Sequence, residues 1–195
     1  MPNLVYNNVV VNGTKEQILE MLNYGLKQDG KEPISSPDEV PNVKLSMESY
    51  VPMPQTYKDY DTTNNMPERN AINWDTTLPR FNSDEEYAQY VENYKKAQTE
   101  QLEKYGVIGW YDWRYKNLGC KWDAEFEFGK FEKSTETDGW TISFDLDTAW
   151  AVPLPFYAKI SKQFPMLEYE VFYEEEDCAF VGVFKFKDGV IIEKK

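Results

Sequence analysis

The stretch Trp140–Glu174, WTISFDLDTAWAVPLPFYAKISKQFPMLEYEVFYE, decides the fold. Trp140, Ile142, Phe144 and Leu146 alternate with Thr141, Ser143, Asp145 and Asp147, the period of a strand with one buried face. Pro153-Leu154-Pro155 then opens a helix, with proline in the first turn where a missing N–H leaves no bond unmade. Phe156, Ile160 and Phe164 recur at helical spacing, and Pro165 stops the run. Leu167, Tyr169, Val171 and Tyr173 alternate with Glu168 and Glu170 in a second strand. Strand, helix and strand in 35 residues is half of a two-layer α+β domain.

Working outward, Leu4–Val11 reads as a strand closing at the turn dipeptide Asn12-Gly13. Thr14-Lys15-Glu16-Gln17 has capping-box spacing, and Ile18, Leu22 and Leu26 give the following helix one apolar face until Asp29-Gly30. Residues 31–42 hold three prolines and read as a loop. Val43, Leu45, Met47 and Val51 alternate with Lys44, Ser46, Glu48 and Tyr50, which predicts a half-buried strand ended by Val51-Pro52-Met53-Pro54. Ala124–Phe128 alternates too, Gly129 is placed for a bulge, and Asp138-Gly139 turns the chain into the Trp140 strand as a hairpin. After the acidic turn Glu174–Asp177 comes a last strand, Ala179–Phe186, and Asp188-Gly189 starts a short return.

Between these halves, Gln55–Asn82 has no periodicity. Ser83-Asp84-Glu85-Glu86 forms a second capping-box pattern, and Tyr87, Tyr90, Val91, Tyr94, Leu102 and Tyr105 follow at core-facing helical spacing until Gly106. The order is βαβ, an insertion with a helix, then ββαββ. It predicts one α+β domain over residues 1–195: a ferredoxin-like, mixed but mostly antiparallel sheet, helices on one face, and a helical and loop insertion at about 55–120. The expected core strands lie near 4–11, 43–52, 139–147 and 167–174, and the helices near 14–28 and 154–164.

Charge and composition narrow the chemistry. With 34 acidic and 21 basic residues the formal charge is −13, which opposes binding to phosphate backbones and fits plain solubility, a basic protein partner or mimicry of nucleic acid. The chain has no histidine, so Ser-His-Asp and Cys-His mechanisms and imidazole zinc sites are excluded. No phosphate-cradling glycine loop occurs, and the expectation is neither cofactor nor metal. No apolar run approaches the ~20 residues that span a bilayer, and the opening residues lack a signal-peptide pattern, so the expected location is cytoplasmic. Cys120 and Cys178 are expected to be buried free thiols.

Trp110–Asp123 concentrates three tryptophans, Arg114, Lys116, Lys121, Asp112 and Asp123 in fourteen residues. Residues 110–118 read as a short helix stopped by Gly119. Trp110, Trp113 and Trp122 are expected to be largely buried, with Asp112 or Asp123 capping N–H donors. As a binding surface, the expected residues are Asp112, Trp113, Arg114, Lys121, Trp122, Asp123, Asp147 and Trp150. As chemistry, the candidates are Asp112, Lys121, Asp123, Asp145 and Asp147. The last two project about 7 Å apart from one strand face, a spacing that suits either a divalent cation or plain solvation.

Met1-Pro2-Asn3…Asn7, Val51-Pro52-Met53-Pro54, Trp110-Tyr-Asp-Trp-Arg…Asn117-Leu-Gly-Cys-Lys-Trp-Asp123, Phe144–Trp150 and Phe164-Pro165…Tyr173-Glu-Glu-Glu together resemble the YubB-type ferredoxin-like proteins of phages, plasmids and other mobile elements. The chain departs from that pattern at Leu4 and Leu118, where the family tends to have Trp, and at Cys120, where it tends to have Thr. The resemblance implies a ferredoxin-like domain and a mobile-element origin, and supplies no catalytic residues. The resulting expectation is a non-enzymatic accessory protein that engages a basic, host-encoded protein. The alternative is a small carboxylate- and lysine-dependent or metal-dependent enzyme.

Overall fold

The structure, a computed structural model, describes residues 3–60, 62, 81–135, 138–175 and 180–195. Its strands are β1 (Leu4–Gly13), β2 (Glu127–Lys133), β3 (Trp140–Ala149), β4 (Glu168–Glu175), β5 (Val181–Lys187) and β6 (Val190–Lys194). Its α-helices are α1 (Lys15–Gln28), α2 (Gln55–Asp59), α3 (Asp84–Tyr105), α4 (Trp110–Asn117) and α5 (Leu154–Gln163). The chain divides into two compact units, one of residues 1–52 and 115–195 and one of residues 53–114.

The first unit is built on one antiparallel sheet in the order β2-β3-β1-β4-β5-β6. Its first four positions have the ferredoxin-like arrangement, and β5 and β6 extend it beyond β4. The fold is α+β, as the alternation of the sequence requires. Val5, Val9 and Val11 on β1 share a buried face with Ile142, Phe144 and Leu146 on β3 and with Tyr169, Val171 and Tyr173 on β4. α1 packs on β1 and β3, and α5 packs on β4 and β5. They bring Ile18, Met21, Leu22, Phe156, Tyr157 and Ile160 into that core. The interior is rich in stacked rings, such as Phe126 on Phe144 at 4.6 Å.

Local chemistry explains the boundaries. Thr14 accepts from the Gln17 N–H at 3.2 Å while the Gln17 side chain accepts from the Thr14 N–H at 2.9 Å, so the first capping box is complete. At α3 only half of the second box forms. Ser83 accepts from the Glu86 N–H, but the Glu86 carboxylate reaches one residue further back, to the Asn82 N–H at 2.8 Å. Asp188 and Gly189, with φ of 48° and 80°, make the tight β5–β6 turn. Gly119, at φ 87°, follows α4, and a Cβ there would lie 2.6 Å from the Pro155 ring, so glycine is needed twice over.

One core strand is corrected. Residues 43–52 do not form it; the sheet's second ferredoxin-like position is taken by β2, from residues 127–133. Val43, Leu45 and Met47 are buried as their alternation requires, but only Ser46 pairs, with Glu125. The chain then turns into a 3-10 helix at Met47–Ser49, because the Ser49 hydroxyl accepts from the Ser46 N–H and Asp123 accepts from the Glu48 N–H. The 31–42 loop contains a 3-10 helix at Pro37–Asn42. The bulge expected at Gly129 is present between Phe128 and Phe131.

The second unit holds α2, which the aperiodic stretch gave no reason to expect, together with α3 and the start of α4. Tyr94, Ala97 and Gln101 form the buried stripe of α3, whereas Leu102, expected inside, is exposed. Gln101 is fully buried. Its amide donates to the Thr56 carbonyl at 3.0 Å and accepts from the Gly109 N–H at 3.1 Å and from the Thr62 hydroxyl. Cys120, in the first unit, is buried, and its thiol donates to the Trp122 carbonyl at 3.2 Å; Cys178 and the Glu176-Asp177 part of the acidic turn lie outside the described residues.

Candidate binding surface

Because α1 and α5 lie on one face of the sheet, the alternate residues of each strand point to the other. The register sets them in rows. Tyr6 stands between Asp147 on β3 and Glu174 on β4, and Asn8 between Asp145 and Phe172. Val10 stands between Ser143 and Glu170, and Asn12 between Thr141 and Glu168. β2 adds Glu127 opposite Asp145 and Glu132 opposite Thr141. Tyr6 and Phe172 are each 43% exposed, two aromatic side chains set diagonally among carboxylates. Lys185 on β5 offsets part of the charge, with its ammonium 3.3 Å from Glu170 and 3.6 Å from Glu193.

The acids crowd most at one end. Asp123, Glu125, Glu127, Asp145 and Asp147 line a cleft of about 240 Å³. Burial holds the Asp147 carboxyl above its ordinary value, and the neighbouring charges of Glu127 and Asp145 push it the same way. Asp145 is steadied by the Asn8 amide, which donates to it at 2.7 Å. Among the described residues no group of three or more acidic or cysteine side chains has an arrangement that could hold a metal ion.

The residues expected from sequence divide between the two units. In the second, Trp113 is buried, 6.0 Å from the Tyr57 ring, while the Tyr57 hydroxyl donates to the Val107 carbonyl at 2.8 Å. Arg114 lies over the Trp110 ring at 5.4 Å, Trp110 is half-buried, and Asp112 is exposed. In the first, the Lys121 ammonium lies 5.0 Å from the ring centroid of Trp122 and 5.7 Å from that of Trp150. These two indoles are 5.7 Å apart and inclined at 33°. Trp122, expected to be buried, is 42% exposed and Trp150 is 45% exposed. The burial expected of the tryptophans holds for Trp113 alone; Trp122 falls beyond α4 in a bend of the chain, beside Trp150 at the end of β3. Asp123 caps the backbone as expected, accepting from the Glu48 N–H at 3.0 Å. Trp150 has φ of 63°, a left-handed conformation costly for a bulky side chain, and its N–H donates to the Asn3 carbonyl at 3.0 Å. A lysine held below its ordinary range is Lys159 on α5, through burial and the nearby charge of Lys116.

Sequence reasoning missed Tyr6, Asn8 and Phe172. The signal was there for Phe172, an aromatic at the outward position of a strand whose other outward residues are glutamates.

Residues 121–195 match the family model described as the ferredoxin-like domain in Api92-like protein. The match takes in β2 to β6 and α5, while β1, the strand between β3 and β4, lies outside it. Among solved structures the chain is similar to protein Api92 from Yersinia pseudotuberculosis, at 8% identity and a TM-score of 0.45, over 100% of this chain and 98% of that one. No curated protein matches the chain.

Proposed function

We propose that the chain is a non-enzymatic protein-interaction module whose sheet face opposite α1 and α5 receives a basic partner. The observation that supports this best is the composition of the rows: Asp145, Asp147, Glu168, Glu170 and Glu174 surround the exposed rings of Tyr6 and Phe172. Aromatic anchors supply area at small entropic cost, and the carboxylates steer cationic groups toward them. The same charge repels RNA, which ferredoxin-like sheets in general can bind through aromatics on this face only where the surroundings are basic. The motif resemblance to YubB-type proteins extends the proposal: a cytoplasmic accessory protein of a phage or other mobile element, acting on a basic host protein.

The test is titration of the chain with a nona-lysine peptide at low salt. Binding should weaken steeply as salt rises, and Glu170→Lys with Asp145→Lys should abolish it. Absence of binding at low ionic strength, or tighter binding of a single-stranded RNA, overturns the proposal.

A further inference from the structure

We infer that Trp122 and Trp150 form an arginine-selective subsite of this binding surface, in which Lys121 is a resident cation that a partner guanidinium displaces. The inference rests on the proposed basic partner and adds which side chain the partner must bring. Two exposed indoles brought to 5.7 Å of each other are unusual on a protein surface, where tryptophan concentrates at binding hot spots. The ammonium of Lys121 already faces both rings, so the pair holds a cation in the orientation that the ring quadrupoles favour.

Two further observations point the same way. Trp150 is held at φ 63°, although a glycine would adopt that backbone without strain. Such strain in a bulky residue persists where the position of the side chain is worth keeping. In addition, the segments that carry the indoles also supply the acids. Asp123 follows Trp122, Asp147 precedes Trp150 by three residues, and both line the carboxylate cleft. A cationic peptide that seats one residue on the indoles therefore meets carboxylates with its next ones. Arginine is favoured over lysine because a planar, weakly hydrated guanidinium stacks on an indole, while a compact ammonium keeps its water. Arginine is thus the ligand that can replace a lysine already in place.

The experiment compares nona-arginine with nona-lysine on the intact chain at fixed salt. Nona-arginine should bind about threefold to fivefold more tightly, the scale of one exposed cation–π contact. Trp122→Ala or Trp150→Ala should reduce that ratio to near one. Lys121→Gln, which keeps both indoles, should raise the ratio further, and it serves as the second variant if an alanine variant fails to fold. Equal binding of both peptides, or a ratio indifferent to Trp122 and Lys121, overturns the subsite and leaves the acidic face standing. Preference of the indole pair for an aromatic or aliphatic peptide also overturns it. If neither peptide binds, the proposed function falls and the subsite with it.

Discussion

Trp113 and Trp122 come from neighbouring sequence and do opposite things, Trp122 joining Trp150 from the end of β3. Trp113 is buried in the second unit beside Tyr57, whose hydroxyl is bonded to the Val107 carbonyl. Trp122 and Trp150 stand in water at the end of the sheet, with a lysine across their faces. A single aromatic-rich motif therefore serves two purposes: its first half is a packing element and its second half is surface. Density of tryptophan in a sequence reports that indoles are present, and the helix boundary at Asn117 decides which way they face.

That division can be broken by mutation. Trp113→Ala should carry the largest effect, a loss of about 3–5 kcal/mol typical of emptying a buried aromatic site, read as a lowered denaturant midpoint. A loss under about 1 kcal/mol would mean that Trp113 is not a core residue. Next comes a reversal at Trp150. Glycine ordinarily destabilises relative to alanine, but at φ 63° Trp150→Gly should be the more stable of the two by about 1 kcal/mol, measured by paired chemical denaturation. Trp122→Ala should change stability by no more than about 0.5 kcal/mol, the scale of an exposed substitution, so any loss of peptide selectivity cannot be blamed on unfolding.

The smallest effect is a pH dependence at the acidic cleft. The carboxyl of Asp147 is raised in the folded chain by burial and by Glu127 and Asp145, so the folded state holds its proton more tightly than the unfolded one. The stability this group contributes is complete below the ordinary value of 3.8 and is lost as pH rises through the raised one. Asp147→Asn should therefore raise the thermal midpoint at pH 7 by about 1 °C. That gain should shrink as the pH falls toward 3.8. A gain that persists unchanged at low pH would show that charge crowding is not its source.

The parts of the fold legible in the sequence were those fixed by neighbours in the chain. The Thr14–Gln17 box, the β2–β3 hairpin with its bulge, and the Asp188-Gly189 turn all depend on residues a few positions apart. The misreading of residues 43–52 has a different origin. Their alternation is real and their apolar side chains are buried, but Asp123 reaches the Glu48 N–H from 75 positions away and helps end the extended run at a single bridge. The true second strand was read only as far as Phe128, because its bulge breaks the period at Gly129 and hides its continuation to Lys133. Asn7 sits at a buried position of β1 for a comparable reason: its amide donates to the Leu146 carbonyl and the Thr148 hydroxyl of the adjacent strand, partners no local pattern reveals. At the candidate site, sequence located the tryptophans and Asp147, while the rows of Tyr6, Asn8 and Phe172 required the register of three strands.

The place of β1 in the sheet also has a consequence in time. It leaves the ribosome well before the strands that flank it, because β3 begins only at Trp140 and β4 at Glu168. At a typical ~5–20 residues per second, β1 waits on the order of 10 s before either neighbour exists. Through that interval both rows of β1's backbone donors and acceptors lack the neighbours they have in the sheet. The sheet can close only by joining distant segments, the slowest class of folding step. Nascent chains stalled before Trp140 are therefore the species most exposed to chaperones and to aggregation.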